Sequence, residues 1–297
     1  MSHHSRSNLS RPRRSVLYMP GSNPRALEKA KGLAADSLIL DLEDAVAVDA
    51  KEEARRLVAE AVKAGGYGKR ELIVRVNGLD SPWGRDDIRA ASVAGPDAIL
   101  LPKVESAAMV REAEELMIEY GAPKTTTLWC MMETPRGILR AEEIADSSPR
   151  LGGFVMGTND LVKDLQARHT PMRLPILTSL SLCVLAARAA GIAIIDGTFT
   201  DLNDEEGLVA SCRQGVEFGF DGKTLLHPKQ LGPANEAFAP SVAEVEHAHA
   251  VIAAFEAAEA EGKGVALLDG KLVENLHVEV AKSLIAQAEM IRELEAE

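Results

Sequence analysis

Eight short apolar runs, rich in β-branched residues, recur along the chain, and each ends in polar or turn-forming positions. Such runs read as strands. They fall at Ser15–Pro20, Leu38–Glu43, Leu72–Asn77, Ala98–Pro102, Leu128–Glu133, Gly153–Gly157, Ile192–Asp196 and Lys223–His227. Between them lie Ala- and Glu-rich helical stretches at about 24–35, 49–64, 84–94, 106–120, 137–147, 176–190 and 203–218. These have the length of right-handed β-α-β crossovers. Eight strands alternating with helices predict an α/β fold, a closed (β/α)8 TIM barrel over residues 14–240, rather than an open sheet.

The pattern changes after the eighth run. Residues 241–261 read as an Ala/Glu helix, Val265 to Val273 as a tight hairpin turning at Asp269-Gly270, and His277 to Leu294 as an amphipathic helix. A barrel needs none of these elements. Residues 241–297 are therefore expected to form a C-terminal helix-hairpin-helix appendage, acting as a lid or as a clamp between subunits. Residues 1–13, polar and basic, read as a disordered tail; the apolar strand that follows is too short for a signal-peptide core.

Composition narrows the class. Hydrophobic residues make up 46% of the 297 positions and charged residues 26%, enough for a full core without disulfide or metal staples. With 33 Lys and Arg against 45 Asp and Glu, the net charge of −12 disfavours non-specific attraction to nucleic acid or an anionic membrane. No eighteen uncharged apolar residues run together, and the longest stretch, from Leu180, is broken by Arg188. Cys130, Cys183 and Cys212 are odd in number and widely spaced, as expected for reduced, buried thiols in a cytoplasmic protein.

In a (β/α)8 barrel the chemistry gathers at the C-terminal strand ends. There the sequence offers Asp41-Leu42-Glu43-Asp44 on the second strand, Arg75 and Asn77 on the third, and Lys103 and Glu105 after the fourth. Glu133 ends the fifth strand, Gly157-Thr158-Asn159-Asp160 the sixth, Asp196 the seventh and His227 the eighth. Period-two alternation turns Leu72, Val74 and Val76 toward the helices and Ile73, Arg75 and Asn77 into the barrel. An inward arginine needs an anion, either a substrate or one of the nearby carboxylates.

Glu133 shares a face with Trp129 and Met131, and Asp160 stands at the neighbouring strand end. Strands are roughly 4.8 Å apart, so the two carboxylates can share one hard cation, for which Mg²⁺ is suited. The three carboxylates of Asp41, Glu43 and Asp44 repel unless neutralised, and Arg75 is the available cation. The acidic turn could equally be a solvated cap. Lys103 admits two readings: a Schiff base with a carbonyl substrate, or an ion pair with Glu105 or Asp97. Ser22 or Asn23 can cap a helix that begins at Pro24, which gathers Arg14, Arg25 and Lys29 near one loop as possible phosphate contacts.

The chain resembles the citrate lyase β-subunit-like family of the HpcH/HpaI aldolase superfamily, which includes malyl-CoA and citramalyl-CoA lyases. The resemblance rests on Arg14-Ser-Val-Leu-Tyr-Met-Pro-Gly21, Leu40-Asp-Leu-Glu-Asp-Ala45, Val74-Arg-Val-Asn77, Leu101-Pro-Lys-Val104, Met132-Glu-Thr-Pro-Arg-Gly-Ile138, Gly157-Thr-Asn-Asp-Leu161 and His227-Pro-Lys-Gln230, in order along the chain. It implies a Mg²⁺-dependent barrel acting on coenzyme A thioesters of hydroxy acids. Carried over by motif, Glu133 and Asp160 bind the metal, Arg75 engages substrate oxygens, Glu43 and Asp44 position metal-bound water, and Arg14, Arg25 and Lys29 contact coenzyme A. The family's lyases carry an Asp in an appendage that covers a neighbouring subunit's site; here Glu274 stands at that position. The variant looks like the thioesterase branch, with Glu274 activating water in a homotrimer or hexamer. The implied reaction is hydrolysis of (3S)-malyl-CoA to malate and CoA. Two alternatives stay open: cleavage of a C–C bond to a 2-oxo acid and acetyl-CoA, and a citrate lyase β-like subunit serving an acyl carrier protein.

Overall fold

The structure, a computed structural model, describes residues 11–296. Eight parallel strands close into a barrel in sequence order: β1 (Ser15–Pro20), β2 (Ser37–Asp41), β3 (Glu71–Arg75), β4 (Ala98–Leu101), β5 (Thr127–Met132), β6 (Leu151–Met156), β7 (Ala193–Asp196) and β8 (Gly222–Leu225). The barrel shuts where Ser15, Val16 and Leu17 of β1 pair with Lys223, Thr224 and Leu225 of β8. The expected TIM barrel is borne out. Several strands end one or two residues before the apolar run does, so Glu43, Asn77 and Glu133 sit just past the last ladder bonds.

The intervening helices are α1 (Pro24–Ala30), α2 (Lys51–Ala64), α3 (Gly84–Ala94), α4 (Ala107–Glu119), α5 (Pro135–Leu139), α6 (Ala141–Ala145), α7 (Thr158–Asp164), α8 (Leu177–Ala190), α9 (Glu205–Phe218) and α10 (Leu231–Phe238). Their local signals are conventional. In α2, Glu52 and Glu53 stand in the first turn and Lys63 in the last, matching the helix dipole, while Ala54, Val58 and Val62 form one buried stripe. Helix α1 starts as expected, with Asn23 accepting from the Ala26 amide at 3.1 Å and Pro24 in the first turn. The sequence reading did not separate α7 or α10, each of eight residues or fewer. Over so short a span, two turns of periodicity do not stand out.

Two apolar shells hold the barrel. Val74, Val76, Ile99, Cys130 and Ile194 point outward under the helices, whereas Val16, Ile39, Ile73, Trp129, Met131, Val155 and Ile195 fill the interior. Trp129 is fully buried, and a Cβ at Gly153 would come within 2.8 Å of its ring. Glycine on the adjacent strand therefore makes room for the indole.

At the N-terminal end of the strands, polar pairs close the barrel. Arg13 lies 5.2 Å over the Trp129 ring and grips Glu71 with two bonds of 2.7 and 2.8 Å. Arg14 reaches Asp36 through Nε and Nη2, both at 2.9 Å. This corrects two sequence expectations. Arg13, assigned to a disordered tail, is 2% exposed and belongs to the barrel; residues 1–10 of that tail lie outside the described residues. Arg14, expected to touch coenzyme A, lies just before β1 at the end of the barrel opposite the C-terminal strand ends, fully engaged by Asp36.

The chain divides into two compact units, Arg13–Phe238 and the residues from Ala239 on. The second consists of α11 (Val242–Ala260), the antiparallel hairpin β9 (Ala266–Leu268) and β10 (Lys271–Val273), and α12 (Asn275–Glu295). Asp269 and Gly270 make the turn with φ of 48° and 76°, the left-handed geometry that Asp-Gly favours. Ala266 and Val273 face a small core with Val251, Phe255 and Val278. The opposite hairpin face carries a cross-strand pair, Leu267 and Leu272, both more than 60% exposed. Among the described residues no helix is long and apolar enough to cross a membrane.

Candidate active site

Alternation along the odd-numbered strands brings the site together. With Ile73 inside, Arg75 is inside; with Trp129 and Met131 inside, Glu133 is inside. These side chains border a cavity of about 330 Å³ at the C-terminal mouth, together with Tyr18, Asp41, Asp44, Met156, Thr158, Asp160, Thr198 and Thr224.

Arg75 is 6% exposed and is held on three sides. Its Nε and Nη2 donate to the two oxygens of Asp41 at 2.7 and 2.6 Å, and Nη1 lies 2.8 Å from Glu43 Oε2 and 3.5 Å from Asp44 Oδ2. The guanidinium stacks 4.9 Å over the Tyr18 ring. Asp41 also accepts from the Glu43 and Ala45 amides at 2.9 and 3.0 Å, so all four of its acceptor positions are used and it serves to orient Arg75. A guanidinium has five N–H donors, two of which bond Asp41 here, while Nη1 lies at ion-pair distance from Glu43 without a bond aligned on its Oε2. The N–H groups of Nη1 are thus available to a ligand.

Glu43 is 8% exposed, and its Oε2, despite the ion-pair distance to Arg75, has no aligned hydrogen-bond donor. Burial first, and the neighbouring Asp44 and Asp41, push its pKa up against the pull of Arg75 and Lys103. Glu133 is 2% exposed and is pushed up to about 7, chiefly by burial and further by Glu43 and Asp160, although the Lys103 amide and Arg75 favour its ionised form. Its Oε1 accepts from the Lys103 amide at 2.8 Å. A Cβ at Gly157 would collide with the Glu133 carboxylate, so only glycine lets the β6 end pass this close.

Lys103 takes the left-handed conformation, φ 50°, which turns its amide onto Glu133. Its ammonium lies 3.4 Å from Glu43 Oε1. The expected pair with Glu105 or Asp97 is thus replaced by one with Glu43, and the pKa is raised by Glu43, Asp44 and Asp160 in spite of burial. A lysine kept charged in this way is a poor Schiff-base nucleophile.

Asp160, in the first turn of α7, is half-buried and lines the cavity beside Glu133. Arg25 and Lys29 are exposed on α1, which leaves β1 at this same mouth. Other expected residues point elsewhere. Asp196 follows inward-facing Ile195, so it faces outward, buried against Lys223 at 2.7 Å and Arg173 at 2.6 Å. Asn77 turns away to Asp87 and the Leu42 carbonyl, at 2.6 and 2.9 Å. His227 Nδ1 accepts from the Lys229 amide at 3.1 Å in an ordinary cap. Tyr18 was not singled out from the sequence, although alternation from Val16 places it inside. Glu274 belongs to the second unit, exposed at the start of α12, with its amide donating to His277 Nδ1 at 3.0 Å.

Five carboxylates, Asp41, Glu43, Asp44, Glu133 and Asp160, line or border this mouth, against the cations Arg75 and Lys103 on the cavity side and Lys51 behind the acidic loop. Among the described residues no three His, Cys, Asp or Glu side chains form a ready-made metal cage. That combination suits Mg²⁺, which takes one or two carboxylates and leaves its other positions to water and substrate. The excess of negative charge, the unaligned Glu43 oxygen and the buried Glu133 each favour an added cation.

Residues 14–228 match the family described as HpcH/HpaI aldolase/citrate lyase. The chain is 55% identical over 280 residues to a (3S)-malyl-CoA thioesterase of Cereibacter sphaeroides, covering 94% of this chain and 96% of that one. It is 42% identical to a citrate lyase subunit beta of Leuconostoc mesenteroides subsp. cremoris, with 90% of each covered. Among solved structures, the protein CitE of Mycobacterium tuberculosis, in complex with magnesium, acetoacetate and coenzyme A, superposes with a TM-score of 0.75 at 28% identity. That match covers 95% of this chain and 99% of CitE. With the barrel, the strand-end motifs and these relatives in agreement, the chain belongs to the HpcH/HpaI aldolase/citrate lyase family.

Proposed function

We propose that this protein hydrolyses (3S)-malyl-CoA to malate and CoA, with Mg²⁺ held by Glu133 and Asp160. The observation that carries the reading is Arg75: a buried guanidinium with N–H groups to spare, beside the cavity carboxylates Glu133 and Asp160, which among the described residues form no ion pair within 4 Å. Its support outside the geometry is the 55% identity to the Cereibacter thioesterases. When bound, the metal supplies Lewis acidity toward the oxygens of the hydroxyacyl group.

The chain's own residues do the rest. Arg75, held by Asp41 and Tyr18, directs its free donors at the oxygen on which negative charge develops, without reorganising during the reaction. Glu43 and Asp44 orient water at the mouth, and Glu43 has an unaligned buried oxygen for that purpose. Glu274 takes a proton from the water that attacks the thioester carbonyl; the C–S bond breaks and CoA leaves as the thiol. Arg25 and Lys29, both exposed on α1, meet the phosphates of CoA. Glu274 comes from a neighbouring subunit of a homotrimer or hexamer. The exposed Leu267 and Leu272 pair, extended by Leu276 at 57% and Val280 at 62% exposure, is the kind of apolar patch that a subunit contact covers.

The test is to incubate purified protein with Mg²⁺ and (3S)-malyl-CoA, trap any glyoxylate, and quantify malate and free thiol. Equimolar malate and thiol without glyoxylate is the expected result. Glyoxylate with acetyl-CoA would move the assignment to the lyase reaction on the same donor set, and turnover only of an acyl carrier protein thioester would move it to the citrate lyase β-like reading.

A further inference from the structure

Lys51 opens α2 and is 6% exposed, a burial that is costly for an ammonium. Among the described residues it forms no ion pair within 4 Å. Its Nζ instead donates to the Leu42 carbonyl at 2.9 Å and to the Glu43 carbonyl at 2.6 Å, and lies 5.7 Å over the Trp83 ring. Burial pulls its pKa down while Asp41, Glu43 and Asp87 pull it up.

These contacts bear on one short segment. Beyond the Leu42 amide, which still donates to the Arg75 carbonyl, the backbone leaves the barrel ladder; the Glu43 carbonyl takes the Val46 amide at 3.0 Å as well as Lys51, and the Leu42 carbonyl needs a partner from outside the loop. Asn77 Nδ2 shares the Leu42 carbonyl at 2.9 Å and is itself fixed by buried Asp87, which pairs with Arg55 of α2 at 2.6 Å. Behind the acidic loop, Lys51 of α2 and Asn77, anchored by Asp87 of α3, thus hold its carbonyls. On the cavity side, Arg75 and Lys103 hold the Glu43 carboxylate.

We infer that Lys51 is a positioning residue for the reaction: by holding the Leu42 and Glu43 carbonyls from behind, it fixes the direction of the Glu43 carboxylate at the cavity mouth. It does not reach the substrate. The inference rests on the reading of Glu43 given above and adds the residue through which the loop is aimed. A charged donor serves better than a neutral one here, since two carbonyl oxygens converge on one group and an ammonium has three N–H bonds to give.

The test is a double-mutant cycle in the full-length, Mg²⁺-loaded protein with (3S)-malyl-CoA. K51M should lower kcat by about 10- to 100-fold, the usual range for residues that orient site groups from behind. KM should stay within about threefold, because the contact matters in the transition state more than in binding. Mg²⁺ affinity, measured by calorimetry without substrate, should be unchanged, since neither Glu133 nor Asp160 is touched. K51R keeps the charge and the donors and should recover most of the rate. In the E43Q background, K51M should cost no more than about twofold further, because the two act in one line. A K51M enzyme with normal kcat, or a double mutant whose losses multiply, overturns the inference. An unimpaired E43Q would remove the Glu43 reading and this one together; an impaired E43Q beside a normal K51M removes this one alone. If K51M does not fold, K51Q takes its place in the same cycle.

Discussion

The two ends of this barrel use the same residue types to opposite effect. At the N-terminal end, Arg13 meets Glu71 and Arg14 meets Asp36, each through paired bonds of 2.7 to 2.9 Å. At the C-terminal end, Arg75 is as deeply buried but stands with Lys103 among five carboxylates. Where each charge has its own partner, the ion pair closes a structure. Where carboxylates outnumber cations and the burial is similar, the excess is a demand for a ligand. Buried charge alone does not mark a site; uncompensated buried charge facing a cavity does.

Breaking the closed end should have the largest effect on stability and none on chemistry. Arg14→Met leaves Asp36 buried without its partner and should cost about 3–5 kcal/mol, while Arg14→Met with Asp36→Leu should recover most of it. Thermal melts give the first quantity, and KM for the CoA ester at a temperature where the variant is folded gives the second. A raised KM with normal stability would return Arg14 to the cofactor.

Breaking the open end should do the reverse. Arg75→Lys keeps the charge but loses the fork that holds Asp41 while offering donors to the cavity, so turnover should fall more than tenfold, about 1.4 kcal/mol or more. The melting temperature should move little by comparison. Near-normal turnover would make Arg75 another closing ion pair, like those below.

How much of this contrast was legible in the sequence depends on which rule each residue obeys. Period-two alternation placed Ile73 with Arg75 and Trp129 with Met131 and Glu133 correctly inside. The same rule, carried one residue beyond Ile195, turns Asp196 out of the barrel, and from Val16 it brings Tyr18 in. Arg14 needed only the chain direction: a residue before the first strand lies at the barrel's far end. The role of Lys51 was not legible. It bridges back eight and nine residues through a loop whose path no periodicity specifies.

The titration of Glu133 sharpens the comparison at intermediate scale. Its folded pKa of about 7 lies above the ordinary 4.5, so the folded protein keeps a proton that the unfolded chain gives up. That contribution to stability is complete below about pH 4.5 and is lost as pH rises through about 7. Metal-free protein should therefore lose stability between about pH 5 and 8, and Glu133→Gln should flatten the dependence. Mg²⁺ affinity should rise over the same interval, because the ion displaces the proton. A pH-independent affinity would remove Glu133 from the metal.

The smallest effect isolates the backbone of Lys103. Its φ of 50° is left-handed, a conformation that costs a residue with a Cβ about 1–2 kcal/mol and costs glycine nothing comparable. What the loop gains in return is the 2.8 Å bond from the Lys103 amide to Glu133. Both Lys103→Ala and Lys103→Gly remove the ammonium from Glu43, so a difference between them reports the backbone alone. Glycine gives back part of its advantage through the greater freedom of the unfolded chain, leaving Lys103→Gly more stable than Lys103→Ala by about 1 kcal/mol, or about 2 °C in melting temperature. Both should bind Mg²⁺ alike, since the amide stays on Glu133 in each. Should the alanine variant equal or exceed the glycine variant, the left-handed turn carries no strain, and the close approach of Lys103 to Glu133 follows from the loop's ordinary path.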